Sequence, residues 1–501
     1  MSIISVSPLL AVFASLSGVA ALGFIRDAAK IRNISVVICA VLQIVILATM
    51  IPAITGGKVL TFEVLSLIPE ASIGFRVDGL GLTFALVASI LWLVTAVYSF
   101  GYLDALSSPK QTRFQALFAL TISCTLGVAF ASNLLTLYFF FEAMTIATYF
   151  LVTHDDTQEA HDGGKVYMAY HLGTSILFLL PAIGLTWYLA GSLSFVPNGM
   201  FGSVDIQAQR GLLIVAFILF MAGNAKVALM PLHGWLPSAM VAPVPVSALL
   251  HAVAVVNAGA YGVIRIMTDV FGPEVLLALS LNHLAIWLAA FTVVAASLYA
   301  LRLDNLKALL AFSTIGQLAY IVMGGALANA EGTMGGMIHI INHGFSKITL
   351  FLCAGAIYVA THKKYLSEMH GLIHEMPLTV LAFSVGAFSM IGLPLTPGFI
   401  TKYYLFAGAQ DAGNIVAIVA LIASSLLTAI YYLRALATFL GWGNKGIRSS
   451  HRPSPPMGKE VNSLILWPML ACAIATLILG IFPEQTTLPL LTPVIGTLFG
   501  G

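Results

Sequence analysis

The fold of this chain is decided by a proline-interrupted apolar stretch at residues 222–252: AGNAKVALMPLHGWLPSAMVAPVPVSALLHA. After Lys226 the stretch contains no Lys, Arg, Asp or Glu, so we expect it to stay at membrane depth. Prolines in a helix interior remove backbone hydrogen bonds. Inside a membrane such breaks are tolerated only where protein or a water-filled cavity surrounds the freed backbone groups. The stretch therefore predicts a discontinuous membrane helix with one lysine, as found in transporters.

The composition of the whole chain also predicts a membrane protein. Of its 501 residues, 59% are hydrophobic and 8% are charged, whereas a soluble domain carries about 25% charged residues. So little charge cannot cover a water-soluble fold of this size. We therefore predict an all-α integral membrane protein that forms one polytopic membrane domain over residues 1–501. A net charge of +2 without a basic run gives no indication of nucleic-acid binding.

Apolar runs of about 20 residues are long enough to cross a bilayer as helices. The chain contains about fourteen of them. The first lies at the N-terminus, which lacks the basic region of a cleaved signal peptide. The predicted spans lie near residues 5–24, 34–54, 78–100, 114–131, 133–153, 167–190, 212–231, 243–264, 277–300, 308–328, 333–360, 378–410, 413–433 and 461–482.

The Lys and Arg residues orient these spans. With an outer N-terminus, the outer loops hold 4 of them: Lys58, Arg76, Arg210 and Arg265. The inner loops hold 15: Arg26, Lys30, Arg32, Lys110, Arg113, Lys165, Arg302, Lys307, Lys363, Lys364, Arg434, Lys445, Arg448, Arg452 and Lys459. Cytoplasmic loops are enriched in Lys and Arg, so we predict a multi-pass protein of the cell (inner or plasma) membrane with both termini non-cytoplasmic. Its longest inner loop is the basic, proline-rich segment 434–460.

Four charged residues remain inside the predicted spans: Glu142, Lys226, Lys347 and Lys402. Glu142 is the single acidic residue expected deep in a span. An ionisable group in hydrocarbon costs several kcal/mol, so each is a candidate functional residue. The alternative for a lysine is that its long stem carries the ammonium group to the interface. Lys347 lies about 14 residues, or about 20 Å, from either end of its span, which is too far for that.

Histidines add a second pattern in the segment GMIHIINHGFSKITLF at 336–351. His339, His343 and Lys347 recur every four residues, which places them on one helix face. Titratable groups about 6 Å apart, with water between them, can relay protons. His251 is a further candidate for this relay, although a hydrogen-bonded core histidine would fit equally well. His171 and His233 are predicted to be such core residues.

A Glu142–Lys226 pair would form a proton switch. Moving the carboxylate away from the lysine favours proton release, and returning it favours proton uptake. The pairing is a hypothesis that rests on two isolated charges of opposite sign in hydrocarbon.

Resident cofactors are not expected. Cys39, Cys124, Cys353 and Cys472 lie far apart in apolar runs, without a CxxC pair, so we predict neither a metal site nor a disulfide framework. A haem protein that uses the histidines as axial ligands is a weak alternative, because residues four apart on one helix face cannot flank one haem. No Walker-type glycine loop is present, which argues against an ATP-driven pump.

Four segments together resemble the proton-conducting antiporter-like family: residues 139–152 (FFFEAMTIATYFLV), 222–252, 342–358 (NHGFSKITLFLCAGAIY) and 392–406 (GLPLTPGFITKYYLF). This family contains large subunits of Mrp-type cation/proton antiporters, antiporter-like subunits of respiratory complex I, and related subunits of membrane-bound hydrogenases. The resemblance implies fourteen helices with broken helices 7 and 12. It also implies inverted five-helix repeats, placed at about 114–264 and 277–433.

The resemblance also implies roles for individual residues. Glu142 matches the glutamate of the family's fifth helix, and Lys226 matches the lysine of its seventh helix. His251 falls where the eighth helix holds a Lys or His. Lys347 lies on the relay of the eleventh helix, which here includes His339 and His343. Lys402 matches the terminal position of the twelfth helix, which opens toward the outside.

The predicted function is proton translocation within a multisubunit monovalent cation (Na⁺)/proton antiporter, similar to the D-type subunit of Mrp complexes. The alternative is an antiporter-like proton-pumping subunit of a redox complex, such as complex I (NADH-quinone oxidoreductase) or a membrane-bound hydrogenase. Lys402 argues against the complex I branch that carries Glu at this position. Both alternatives imply other membrane subunits and the lipid bilayer as partners, and no catalytic chemistry in this chain.

Overall fold

A computed structural model describes residues 2–24, 29–68, 71–442 and 460–500. In these ranges the chain forms 21 α-helices and three short β-strands, β1 Ser2–Ile4, β2 Val59–Ile68 and β3 Ala71–Val77. The helices are α1 Ser7–Phe24, α2 Ala29–Thr55, α3 Gly79–Ala105, α4 Gln111–Ala129, α5 Leu134–Val152, α6 Gln158–Thr174, α7 Leu180–Ala190, α8 Arg210–Gly223, α9 Trp235–Ser238, α10 Val244–Ala252, α11 Val255–Arg265, α12 Gly272–Ala278, α13 Leu281–Arg302, α14 Leu306–Ala326, α15 Ala330–Thr361, α16 Pro377–Ile391, α17 Pro397–Asp411, α18 Ile415–Phe439, α19 Ser463–Ile481, α20 Pro483–Thr486 and α21 Leu488–Phe499.

The helices form a multi-pass membrane bundle. Within the described residues, 11 helical segments are long and apolar enough to cross a membrane. Every predicted span coincides with a helix or a helix pair, and α21 is an additional apolar helix. The count of fourteen spans and the division into two repeats stay predictions. Most of the basic loop 434–460 (residues 443–459) and Arg26 lie outside the described residues.

The lipid-facing surface of the bundle is apolar. Helix α13 exposes Trp287 and Phe291, and α18 exposes Val419 and Leu426. Polar and charged side chains lie instead in the interior, as on the buried face of α15. In hydrocarbon this arrangement is favourable, because polar groups find partners only inside the protein.

Two predicted spans are interrupted near their prolines, the first of them already before Pro231. Helix α8 ends at Gly223, and a short 3₁₀ turn, Ala225–Val227, carries Lys226. The predicted span 378–410 is two helices, since α16 ends at Ile391 and α17 begins at Pro397. Side chains bind carbonyl groups freed by these breaks: Trp235 donates from Nε1 to the Ala225 oxygen (2.9 Å).

A small sheet between α2 and α3 was not predicted. Strands β2 and β3 form an antiparallel hairpin, and β1 pairs in parallel with β2. The search for apolar runs of about 20 residues did not detect this sheet. Its strands β2 and β3, of 10 and 7 residues, are too short to be recognised as membrane spans. The hairpin leads directly into α3, whose first turn is capped by Asp78.

One sequence-based expectation about charged residues is wrong. Arg265, expected in an outer loop, lies within the helical core and is 3% exposed. Asp78 and Asp269 are buried beside it. The guanidinium group donates to Asp78 Oδ1 and Asp269 Oδ2, each at 2.6 Å, and to the Tyr261 hydroxyl at 2.8 Å. These hydrogen bonds replace the water that a loop position would have supplied.

Close helix packing holds α17 against the end of α16. A methyl group on Gly398 would overlap the Ser389 carbonyl oxygen. We therefore expect Gly398→Ala to lower the free energy of unfolding by about 1–3 kcal/mol, the usual cost of overpacking. Thermal unfolding in mild detergent measures the change. Gly184→Ala is the matched control, because Gly184 has no atom within 4 Å of the added methyl group. Equal melting temperatures for the two variants would contradict the prediction.

Candidate functional site

The predicted titratable residues lie in the interior of the bundle, on neighbouring elements. Helix α10 packs on α15, and α15 packs on α17. Lys226 is 3% exposed, and His251, His343 and Lys347 are fully buried. Their series begins on α5 with Glu142 and ends on α17 with Lys402.

The structure brings Glu142 and Lys226 together. Lys226 Nζ lies 3.9 Å from Glu142 Oε1 and 4.8 Å from the centre of the Phe141 ring. The same carboxylate oxygen accepts a hydrogen bond from Ser175 Oγ at 2.7 Å. Ser175 begins a π-helical turn, Ser175–Leu179, which continues α6. The carboxylate thus has two alternative partners, a charged one and a neutral one.

The competition between these partners can be tested at Ser175. Without the Ser175 hydroxyl, the Glu142 carboxylate would interact with Lys226 alone. Lys226 would then hold its proton more firmly. We expect Ser175→Ala to slow proton flux about 5-fold, corresponding to the loss of one hydrogen bond of about 1 kcal/mol. Flux into proteoliposomes measures it. Thr186→Val is the control, because Thr186 Oγ1 bonds only to the Ala182 carbonyl of its own helix. An unchanged rate in Ser175→Ala would contradict the prediction.

His171 lies next to this pair and was predicted to be a hydrogen-bonded core residue. Its ring packs between Tyr167 and Trp235, with ring centroids 4.3 and 4.2 Å away. In the described part of the chain, neither ring nitrogen has a protein hydrogen-bond partner, which differs from the hydrogen-bonded core histidine that was expected. Helix α6 packs against the turn that carries Lys226. Only this tertiary contact marks His171 as part of the site.

The central histidines have free nitrogens in the interior. His343 Nδ1 bonds to Asn257 Oδ1 at 3.0 Å, and His339 Nδ1 lies 3.3 Å from Asn342 Nδ2. Among the described residues, the Nε2 atoms of both and the two nitrogens of His251 have no protein partner. Buried polar atoms normally have partners. These nitrogens are therefore positioned to bond water and exchange protons with it.

Lys347 and Lys402 differ from Lys226, because in the described part of the chain neither forms an ion pair. Lys347 Nζ donates to the Leu310 carbonyl oxygen (3.2 Å) and to the Tyr432 hydroxyl (3.3 Å). Lys402 Nζ donates to the Ile391 carbonyl oxygen (2.6 Å), which the break between α16 and α17 frees. Both ammonium groups are held by neutral oxygens, an arrangement that permits proton release.

A cavity of 880 Å³ opens at the end of the bundle that carries the predicted inner loops. Asp155, Glu159 and Lys364 line it. Lys307, expected in an inner loop, starts α14 and donates to the carbonyl oxygens of Met240 (2.6 Å) and Ala242 (2.7 Å). The walls include the first residue of α10, the helix of His251, and part of α15, the helix of Lys347.

The described residues contain no group of three or more His, Cys, Asp or Glu side chains arranged to hold a metal ion. The fold and the site together define a multi-pass membrane protein with a buried series of titratable side chains. Residues 131–428 match the family described as NADH:quinone oxidoreductase/Mrp antiporter, TM. The chain belongs to this family.

Relatives come from both branches of the family. The chain is 32% identical to NADH-quinone oxidoreductase subunit N of Desulforudis audaxviator over 428 residues, covering 83% of each chain. It is 29% identical to a component of a probable K⁺/H⁺ antiporter of Rhizobium meliloti, covering 91% of this chain and 45% of that protein. It is 28% identical to a component of the Na⁺/H⁺ antiporter of Alkalihalophilus pseudofirmus, and the match covers 88% of this chain and 56% of that protein.

Solved structures share the fold over nearly the whole chain. A chain of the membrane-bound sulfane sulfur reductase, an archaeal respiratory membrane complex, superposes with a TM-score of 0.85 at 25% identity, covering 99% of this chain and 98% of that chain. A chain of the Mrp complex from Dietzia sp. also superposes with a TM-score of 0.85, at 22% identity, and the match covers 99% of this chain and 97% of that chain.

Proposed function

We propose that this protein is the proton-translocating subunit of a multisubunit monovalent cation/proton antiporter of the Mrp type. The main support is the Glu142–Lys226 pair at the start of a buried series of histidines and lysines. An ion pair in hydrocarbon is costly and is retained where charge must move. Its separation of 3.9 Å leaves room for a change between paired and unpaired states.

The proposed mechanism couples this pair to the remaining series. A conformational change that moves Glu142 away from Lys226 leaves Lys226 without a counter-charge, which favours release of its proton. Water passes the proton to His251 and to the side chains of α15, and Lys402 delivers it at the far end. Return of Glu142 to Lys226 favours uptake of the next proton.

The proposed orientation assigns the cavity to one side of the membrane. We place both termini on the non-cytoplasmic side, because the predicted inner loops carry 15 Lys and Arg, against Lys58, Arg76 and Arg210 in the outer loops once the buried Arg265 is left out. The 880 Å³ cavity then opens toward the cytoplasm, and both acidic and basic side chains line it.

A redox-driven pump is the second candidate. It is favoured by the similarity to the NADH-quinone oxidoreductase relative, which covers 83% of both chains at 32% identity. In that case the same residues would move protons, and electron transfer in other subunits would supply the energy. The two candidates differ in partners and driving force rather than in the helix chemistry.

Isolation of the native complex in mild detergent distinguishes the two candidates. We expect small hydrophobic partner subunits, no flavin or iron–sulfur absorbance, and proton flux in proteoliposomes that depends on a monovalent cation gradient. Flavin or iron–sulfur subunits in the particle, together with proton flux driven by electron donors, would contradict the antiporter and support the redox-driven pump. Absence of proton flux under both driving forces would refute proton translocation itself.

A further inference from the structure

A chain of buried hydroxyl groups starts at Lys347 and does not involve the histidines. Lys347 Nζ lies 3.3 Å from the Tyr432 hydroxyl, which lies 3.0 Å from Ser313 Oγ. The Tyr431 hydroxyl follows at 2.9 Å from Ser313 Oγ and 3.3 Å from Thr428 Oγ1. Four consecutive hydrogen bonds thus connect the lysine to the middle of α18.

The hydroxyl chain leads toward Lys402. One helical turn beyond Thr428, Ser424 Oγ lies 2.7 Å from the Tyr320 hydroxyl. That turn is about 6 Å along the helix, a distance one water molecule can bridge. Lys402 Nζ lies 5.6 Å from the centre of the Tyr320 ring. The His339 ring packs edge-on against the same Tyr320 ring, with ring centroids 5.6 Å apart.

The histidine series on α15 and the hydroxyl series on α14 and α18 both start at Lys347, lead to Tyr320 and cover the same length. From Lys347 to His339 along α15, and from Tyr432 to Ser424 along α18, the chain spans eight residues, or about 12 Å. Both lead toward the end of the bundle at which α15 and α18 begin, and both reach Tyr320. The histidine series has no direct hydrogen bond between its titratable members, whereas the hydroxyl series has four in succession.

The position of the hydroxyls on α18 is selective. Ser424, Thr428 and Tyr432 are fully buried and Tyr431 is 1% exposed, while Ile422, Leu426 and Ile430 on the opposite face are exposed aliphatic side chains. Each internal hydroxyl oxygen has one neighbour on either side, so it can accept a proton from one and donate its own to the other. Hydroxyls in membrane helices also serve as interhelical contacts, and that is the alternative explanation.

We propose that the hydroxyls of Tyr432, Ser313, Tyr431 and Thr428 form a second proton route, parallel to the histidines, between Lys347 and Lys402. The Lys347 ammonium group donates a proton to the Tyr432 oxygen while that hydroxyl passes its proton to Ser313. The same exchange continues to Thr428, whose proton leaves to water next to Ser424. Rotation of the hydroxyls then restores the original orientation. This proposal rests on the proposed function, because it divides the same proton flux between two routes.

A cycle of variants in the reconstituted native complex tests the second route. One change removes hydroxyls without touching Lys347 or its direct partner: Ser313→Ala with Thr428→Val. The other change replaces two titratable histidines by neutral glutamines: His339→Gln with His343→Gln. Because fluxes through parallel routes add, two equal routes predict about a 2-fold loss of proton flux for each pair alone, and all four changes together should lower proton flux about 100-fold or more. The combined loss must exceed the product of the separate losses.

Controls separate proton transfer from packing. Thr428→Ser keeps the hydroxyl and should restore the flux lost in Thr428→Val. Thr95→Val with Ser297→Ala removes two buried hydroxyls that bond only to carbonyls of their own helices, and it should leave flux unchanged in either background. Thermal unfolding of every variant is measured in the same detergent.

Three outcomes would overturn the second route. They are complete loss of flux in the histidine variant alone, no effect of the hydroxyl variant in the histidine background, and failure of Thr428→Ser to restore flux. Failure of the proposed function has a different signature. Lys226→Ala would then retain wild-type flux in the same preparation, whatever the hydroxyl variants do.

Discussion

Lys226→Ala is expected to reduce proton flux through the assembled complex by about 100-fold or more, the range for loss of a positioned proton donor and acceptor. Lys226 is the ion-pair partner of Glu142, at 3.9 Å. It is 3% exposed and lies on a turn where α8 is broken. In the described part of the chain, no second lysine or arginine reaches Glu142 to replace it. The measurement is dye-detected proton flux into proteoliposomes.

Loss of folding has to be separated from loss of transport in this variant. Lys226→Ala leaves the Glu142 carboxylate with Ser175 as its remaining partner, which costs stability. The double variant Lys226→Met with Glu142→Gln removes both charges. It should melt close to the wild type yet remain inactive. Lys165→Ala, at an exposed lysine paired with Asp162, should keep full flux. A Lys226→Ala complex with more than half of the wild-type flux would contradict the proposed mechanism.

The largest effect on stability is expected for Arg265→Leu. The substitution leaves the Asp269 carboxylate buried without its counter-charge and leaves Asp78 with only the longer contact to Arg76, at 3.8 Å. Breaking a buried ion pair in this way costs about 3–5 kcal/mol. Asp78 also caps α3, by accepting from the Gly81 backbone nitrogen at 3.0 Å, so its displacement would loosen the junction between the β-hairpin and α3. We expect a strongly lowered melting temperature and little folded protein in the membrane.

A neutral replacement of the whole cluster is the informative comparison. Arg265→Met with Asp78→Asn and Asp269→Asn removes all three charges, and such replacements are often close to neutral in stability. This triple variant should therefore recover most of the loss. Arg210→Leu, at an exposed arginine at the start of α8, serves as the control and should melt like the wild type. A wild-type melting temperature in Arg265→Leu would show that the cluster is not needed for folding.

Much of the fold was predictable from local composition. A low content of charge excluded a soluble fold, and apolar runs located helices that the structure contains. A broken helix near Lys226 was predicted from the prolines that follow it, although the structure ends α8 earlier, at Gly223. The candidate residues Glu142, Lys226 and Lys347 were found because an ionised group in hydrocarbon is costly wherever it occurs. These properties depend on a residue and its near neighbours in sequence.

Other features depended on partners that are distant in sequence. Arg265 was predicted to lie in a loop because its partner Asp78 is 187 residues away. His171 and the hydroxyls of α18 gave no signal, since serine, threonine, tyrosine and single histidines are common in membrane helices. The hydroxyls come together only when α14, α15 and α18 pack, and His171 reaches the site only where α6 packs against the turn of Lys226. Composition and spacing thus determined which residues must avoid lipid. The tertiary structure decided which partner each of them has, because hydrogen bonds and ion pairs in hydrocarbon require direct contact.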